Sequence, residues 1–326
     1  GLDLEMKEGA VMRKIILDCD PGMDDSMAIV MAAKSPDIEL MAVTTVNGNY
    51  PVDVTSANAR KILELIGRTD VPVARGLADP LIRKAPSDPF THGEDGQANA
   101  NLPSPTMPLS DKHAVDLIID IVKANPGEVS LVVTGPMSNV ALAMIKAPEI
   151  KEMIPEIIAI SGAFGLNKWA FLNATGDTPQ SEWNVYVDPE AADIVYNSGV
   201  KLVALGLDVA THFEVDFSDQ ALKKLKDANK KEADFLLNAI DFIRDRGYDA
   251  YCTVIDCMAV GYAIDPTLVE TMKARVGIET KEGLTFGMTV IDRRHHHTWD
   301  DLAVIDIGYN ADYERFLQLL LELVIK

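Results

Sequence analysis

Cysteine is scarce in this chain of 326 residues: Cys19, Cys252 and Cys257 are few and odd in number, and no pair of Cys-x-x-Cys motifs is present. That excludes a disulfide-stapled scaffold and a cysteine zinc centre, and sets the expectation of a reducing, cytoplasmic location. Positive charge is also short, with 30 Lys and Arg against 50 Asp and Glu, a formal net charge of −20. Such a balance repels phosphate backbones and anionic lipid, so neither nucleic acid nor a membrane surface is an expected partner. No apolar run approaches the ~18 residues of a spanning helix, and no basic stretch followed by an apolar core marks a signal peptide. With 48% apolar and 25% charged residues the chain has the composition of a folded globular protein rather than a disordered one. Neutral, cationic or metal-bridged ligands are what remain.

Residues 1–11 are polar and irregular and read as a tail or a cloning remnant, leaving 12–326 as a single domain. Within it, short β-branched runs alternate with longer helical patterns, the signature of parallel strands joined by crossover helices. Ile15 to Leu17, Glu39 to Thr45, Val129 to Thr134, Ile157 to Ser161 and Lys201 to Leu205 predict strands. Asp24 to Ala33, Val54 to Ile66, Lys112 to Lys123, Ser138 to Lys146 and Pro189 to Asn197 predict helices. The expected fold is α/β, an open, mostly parallel, doubly wound (Rossmann-like) sheet with added C-terminal helices at Asp219 to Ala228, Lys230 to Arg246, Thr253 to Ala263 and from Tyr313. A hairpin is expected around Lys281-Glu282-Gly283. Asp79 to Pro108 is too long and too rich in Pro, Gly, Asn and Asp for an ordinary connection, and reads as a lid or a disordered excursion. Phe164 to Trp183 is a second long polar loop. Ligands of such sheets bind beyond the carboxyl ends of the strands.

One strand end is unusual. Asp18-Cys19-Asp20-Pro21-Gly22-Met23-Asp24-Asp25 packs four carboxylates into eight residues, which is unfavourable without a cation, a shared proton or a helix N-terminus. A helix beginning near Asp24 supplies part of the compensation, and the clustered oxygens suit a hard cation such as calcium or magnesium. The spacing is not that of an EF-hand. Asp256, inside the apolar stretch Val254 to Val260, must be hydrogen-bonded, protonated or metal-bound to be buried there. Beside the first cluster it becomes a further candidate ligand.

Asp18 to Ala28 resembles the signature of the inosine-uridine preferring nucleoside hydrolases. Four further stretches resemble that family in the same order: Ala42 to Asn49, His92-Gly93-Glu94, Thr134 to Asn139, and Glu182-Trp183-Asn184. The resemblance implies an α/β enzyme that hydrolyses the N-glycosidic bond of ribonucleosides and holds a Ca2+ ion. By motif position it implies Asp20, Asp25, Asp256 and the Thr134 carbonyl as metal ligands. Asp20 would also be the general base, and Asp24, Asn49, Asn173, Glu182 and Asn184 would bind ribose hydroxyls. It implies a homodimer or homotetramer. The chemistry is consistent: a ribosyl C–N bond breaks through an oxocarbenium-like transition state, which needs a positioned water, nearby negative potential and help for the departing base.

The resemblance weakens at one position. Where the better-known branch of the family has a histidine assigned to protonating the leaving base, this chain has Ile255. Tyr248, Tyr251, His92 and Trp183 are the candidate replacements, the tyrosines by hydrogen bonding and Trp183 by stacking on the base. Tyr251 and Trp183 read equally as wall aromatics, and His92 as a solvated loop residue or one that closes over the base. Cys257 reads as a small buried hydrophobe. His212, after the strand Lys201 to Leu205, reads as a residue behind the site's ligands or as a packed or capping histidine, and His295-His296-His297 as an exposed loop rather than a chelating tract. Two rival functions stand beside the hydrolase: a haloacid-dehalogenase-type phosphatase, since Asp18-Cys19-Asp20 is also a strand-end Asp-x-Asp, and a nucleoside or ribose binder without turnover.

Overall fold

The computed structural model describes residues 12–86, 91–211 and 216–326. The N-terminal segment 1–11 and His212 lie outside the described residues. The strands are β1 (Arg13–Cys19), β2 (Ile38–Thr45), β3 (Val73–Arg75), β4 (Val129–Val133), β5 (Ile157–Ile160), β6 (Leu202–Leu205), β7 (Val269–Ile278), β8 (Thr289–Asp292) and β9 (Ala303–Ala311). They form one sheet in the order β3-β2-β1-β4-β5-β6-β9-β7-β8. All neighbours from β3 to β9 pair parallel, whereas β7 pairs antiparallel with both β9 and β8. The strand order reverses between β1 and β4, the crevice where open α/β sheets bind ligands.

The central strands are mostly apolar because both faces are covered. Ile15, Leu17, Val132, Ile158, Ile160, Val203 and Leu205 join one core with the helices Met23–Lys34, Cys257–Ile264 and Tyr313–Ile325. Ile16, Leu131, Val133, Ile157, Ala159, Leu202 and Ala204 join the other, with the helices Ala114–Ala124, Ser138–Lys146 and Pro189–Tyr196. The period-2 alternation of side chains along each strand thus divides the apolar set between two layers.

Two expectations change. The C-terminal part is not only helical, since β7, β8 and β9 extend the sheet. The hairpin read at Lys281-Glu282-Gly283 is the connection between β7 and β8. These strands escape an apolar-run search because β7, Val-Glu-Thr-Met-Lys-Ala-Arg-Val-Gly-Ile, is mostly half-exposed and carries charge. Secondly, the helix expected over Thr253 to Ala263 is split into a 3-10 turn at Ala250–Thr253 and a helix at Cys257–Ile264. Asp256 is the residue before that helix and makes no side-chain cap to it, so its carboxyl is turned to other partners.

The described part of the long 79–108 loop is seated on the protein. Asp95 accepts from the backbone N–H groups of Gln97, Asn99 and Asn101, folding the loop on itself. Gln97 donates to the Ser26 hydroxyl at 3.0 Å, and Ala98 packs with Met23, Ala239 and Ile243.

Candidate functional site

β1 ends at Cys19, and the chain turns through Pro21-Gly22 into the helix Met23–Lys34. This turn carries Asp20, Asp24 and Asp25 to the reversal point, all of them buried. The Asp20 backbone N–H donates to Asp25 Oδ2 at 2.7 Å. The Asp20 carboxylate accepts from the Asn49 N–H at 2.9 Å, which draws the loop after β2 to it. Its other surroundings are backbone: a Cβ on Gly48 would lie 1.9 Å from Asp20 Oδ2, and one on Gly135 would lie 3.0 Å from Oδ1. The glycines of two family-like stretches are therefore the space that the carboxylate occupies.

Asp256 completes the cluster from the opposite end of the chain. Ligand atoms of Asp24, Asp25 and Asp256 lie within 4.8 Å of one another, and all three residues are buried. Asp24 and Asp256 share a side-chain hydrogen bond, and the Asp256 N–H also serves the Asp24 carboxylate. Burial is the first cause that pushes Asp20, Asp24 and Asp256 above the ordinary carboxylate range, and repulsion from Asp24 adds to it at Asp20 and Asp256. Asp25 Oδ1 is buried with no hydrogen-bond partner among the described residues. An all-oxygen set with an unpartnered carboxylate oxygen fits a hard divalent cation, which takes six to eight such ligands.

Thr134 follows β4. Its N–H pairs with the Asp18 carbonyl at 2.9 Å, and its carbonyl accepts from Asn184 Nδ2 at 3.0 Å. The same amide group donates to the Ile160 carbonyl at 2.9 Å, so both Asn184 protons are spent on strand-end carbonyls. Glu182 caps the short helix Trp183–Val187, accepting from the N–H groups of Asn184 and Val185, and from Gly162 N–H at 3.0 Å. Burial raises its carboxyl to about 7 against those three hydrogen bonds. Asn173 donates to the Thr211 carbonyl and hydroxyl at 3.3 and 3.2 Å.

The aromatic candidates are placed differently. Tyr251 donates its hydroxyl to the same Thr211 carbonyl at 2.9 Å, and burial pushes the phenol up to about 12. Tyr248 is 61% exposed, in the turn after the helix Lys231–Asp245. Trp183 is half-buried, stacked on Tyr186 with ring centres 5.8 Å apart, and its Nε1 has no partner among the described residues. His92 is buried rather than solvated: its Nδ1 accepts from the Met23 N–H at 3.0 Å, and it exerts a charge effect on Asp24. Ile255 is half-buried against the larger core, Cys257 is fully buried, and the three consecutive histidines are exposed.

Three positions carry weight that the residue patterns did not reveal. Asn139 donates from Nδ2 to Asp18 Oδ2 at 2.8 Å and to the Thr45 carbonyl at 2.9 Å, and accepts from the Leu77 N–H at 3.0 Å. It ties β1, β2 and the following loop together. Asp18 also accepts from Thr44 Oγ1 at 2.7 Å, and burial lifts it to about 7. Asp208, after β6, binds the N–H groups of Phe164 and Leu166 and so shapes the loop leading to Asn173. Asn139 was within a quoted motif; Asp208 had no local signal beyond its place after a strand.

Among the described residues no helix is long and apolar enough to cross a membrane. The sequence profile of the inosine-uridine preferring nucleoside hydrolases matches residues 15–318. An inosine-uridine preferring nucleoside hydrolase of Leishmania major is 36% identical over 316 residues, covering 95% of this chain and 96% of that protein. The pyrimidine-specific ribonucleoside hydrolase RihA of Photobacterium profundum is also 36% identical over 316 residues, covering 95% and 98%. Among solved structures, a purine-preferring ribonucleoside hydrolase from Gardnerella vaginalis superposes with a TM-score of 0.83 at 33% identity, covering 96% of this chain and 98% of that one. A nearly full-length profile match, relatives above 30% identity over both lengths and the carboxylate cluster at the sheet's reversal point agree: the chain belongs to the inosine-uridine preferring nucleoside hydrolase family, enzymes that cleave ribonucleosides.

Proposed function

We propose that this protein hydrolyses the N-glycosidic bond of ribonucleosides to ribose and free base at a calcium-dependent site beyond the carboxyl ends of β1, β2, β4 and β5. The observation that carries the reading is the buried oxygen cluster with its unpartnered Asp25 oxygen, in a chain of this family. By motif position Asp20, Asp25, Asp256 and the Thr134 carbonyl would hold the ion; the carboxylates that lie within 4.8 Å of one another are Asp24, Asp25 and Asp256, and Asp24, tied to Asp256, is assigned to the sugar on the resemblance alone. When bound, calcium acidifies a water and holds vicinal hydroxyls. Asp20 takes the proton of the attacking water as general base.

The hydrogen bonds around the candidate sugar residues support their assignment. Asn184 and Asn173 each commit their amide N–H groups to protein oxygens, leaving carbonyl oxygens to face a ligand. Glu182 is an acceptor already fixed in direction by three backbone N–H groups. A site that offers acceptors selects a ligand that offers donors, and the free hydroxyls of ribose do so. Asp24 adds another acceptor, and the Asn49 side chain is brought alongside by the bond from its backbone to Asp20. On the base side stand Trp183, His92, Tyr251 and Tyr248. With Ile255 unable to donate a proton, stacking on Trp183 and hydrogen bonding from the others are the available means of easing the base's departure.

The family match replaces the phosphatase reading. The resemblance further supports a homodimer or homotetramer, which sedimentation velocity measures, and the three free thiols support a reducing compartment. A panel of purine and pyrimidine nucleosides assayed for free ribose, before and after prolonged chelation, tests the whole reading. Ribose release that falls on chelation and returns with calcium is expected. Tight nucleoside binding with no ribose formed from any base would establish a binder instead. Inosine monophosphate should turn over far more slowly than inosine, because an acidic site suits a neutral ribose better than a phosphorylated one.

A further inference from the structure

A row of side chains leads outward from Trp183 to the protein surface. The Trp183 ring stacks on Tyr186 at 5.8 Å and 20° between planes. Tyr186 meets Phe286 edge-on at 5.3 Å and 81°. The Arg83 guanidinium lies 4.4 Å from the Phe286 ring centre. Arg83 is itself fixed from three sides: Nε and Nη2 reach Glu190 at 2.8 and 2.7 Å, Nη2 also donates to the Thr280 carbonyl at 2.7 Å, and Glu282 stands 3.5 Å from Nη1. Thr178 Oγ1 donates to the Phe286 carbonyl at 2.6 Å, holding the β7–β8 connection against the loop before Glu182. The row joins three segments distant in sequence, and its inner end is adjacent to Glu182 and Asn184.

We propose that Arg83 is a positioning residue for the base-binding wall: acting through Phe286 and Tyr186, it fixes the plane of the Trp183 ring against which the base of a nucleoside stacks. This deepens the function proposed above and rests on its placing of Trp183 beside the base. One face of Trp183 is already occupied by Tyr186, so the indole has a rigid backing. A ring whose orientation is set before binding loses less freedom when the ligand arrives. Arginine is suited to the outer end because its planar group covers Phe286 while its fork reaches Glu190 and a carbonyl together.

The test uses the full-length, calcium-loaded protein and the variants Arg83→Gln, Arg83→Lys, Phe286→Leu and Trp183→Phe. Arg83→Gln and Phe286→Leu should each raise KM for nucleosides about threefold to tenfold, the scale of one aromatic contact, with kcat within about twofold. The inhibition constant of free ribose, which has no base, should not move. The near-ultraviolet circular dichroism band of the stacked Trp183–Tyr186 pair should weaken in both. Arg83→Lys, which keeps a charge opposite Glu190 but not the flat face, should fall between. A parallel rise in the ribose inhibition constant would mean general loosening and overturn the proposal. So would an unchanged KM and an intact band in Arg83→Gln when Trp183→Phe raises KM. If Trp183→Phe itself leaves KM unchanged, the placing of Trp183 beside the base fails, and the band in Arg83→Gln still decides whether the row orients the ring.

Discussion

The residues assigned to metal and ribose and those assigned to the base are held in different ways. Asp20, Asp24, Asp25, Thr134, Glu182, Asn184 and Asp256 are buried, sit within a residue or two of a strand or helix end, and are mostly bonded to backbone N–H or carbonyl groups. Of the residues assigned to the base, His92 is buried, whereas Trp183, Tyr248 and Tyr251 are half-buried or exposed and lie in loops or at the ends of short helices. Buried carboxylates and amides bonded at strand ends cannot be exchanged without refolding those ends, whereas half-buried or exposed aromatics on loops are replaceable one at a time. The same frame therefore accommodates a constant reaction on the sugar and a variable base. The relatives, one pyrimidine-specific and another purine-preferring by name, span that variation.

The contrast is broken most severely at Asp20. Asp20→Asn keeps an acceptor for the Asn49 N–H and the cradle between Gly48 and Gly135 but removes the proposed general base, so kcat should fall by about a hundredfold to ten-thousandfold. Calcium occupancy, measured separately by titration, distinguishes loss of the base from loss of the ion. Turnover within threefold of the parent would remove Asp20 from its role.

Asp256→Asn acts next. An outer-shell partner typically costs about 10- to 100-fold in metal affinity, and loss of a direct ligand should exceed about 100-fold in chelator competition. The metal-free variant should nevertheless melt at a higher temperature than the metal-free parent, because a buried carboxyl held against Asp24 is relieved. A metal-free variant less stable than its parent would mean that Asp256 is a structural hydrogen-bonding residue.

Glu182 separates the two halves by pH. Burial raises its carboxyl from 4.5 to about 7, so the folded chain binds its proton more tightly than the unfolded one. The stability that the proton contributes is complete below pH 4.5 and is lost as pH rises through 7. The shift corresponds to roughly 3 kcal/mol. In the chelated protein, where the buried aspartates also contribute, denaturant unfolding across that window should lose roughly this amount more in the parent than in Glu182→Gln. Parallel curves would assign the pH dependence elsewhere in the cluster.

The same contrast governs how much the residues alone disclose. Asp20 and Thr134 stand directly after β1 and β4, Asn49 in the loop that leaves β2 and Asp25 in the first turn of the helix after β1, where a run of apolar residues giving way to polar ones marks both the strand and the site. The five strands β1, β2, β4, β5 and β6 were legible because burial on both faces keeps their central residues mostly apolar. β7, β8 and β9 were not, because strands with half-exposed faces toward the end of the sheet alternate weakly and carry charge. Asp256 was legible as a carboxylate in an apolar setting, but not its place just before a helix that starts four residues later than the pattern predicts. Arg83, Tyr186 and Phe286 come from three segments whose meeting depends on the β7–β8 connection, and no local pattern encodes a contact of that kind.

Tyr251 gives the smallest effect and sharpens the base side most. Its hydroxyl carries one proton, and that proton is donated to the Thr211 carbonyl. Burial, with Cys252, Asp249 and Asp216 nearby, pushes the phenol up to about 12, which makes it a weaker acid than an ordinary tyrosine. Both facts favour a wall residue over a proton donor to the leaving base. Tyr251→Phe removes the hydrogen bond but keeps the ring, and Asn173 still serves the same carbonyl. Thermal or denaturant unfolding should register a loss of about 1 kcal/mol, while kcat on purine and pyrimidine nucleosides stays within about threefold. General acid catalysis is worth about 100-fold or more, so a fall in kcat of that size would identify Tyr251 as the group that replaces the histidine absent at Ile255, and would require its bond to Thr211 to break during turnover.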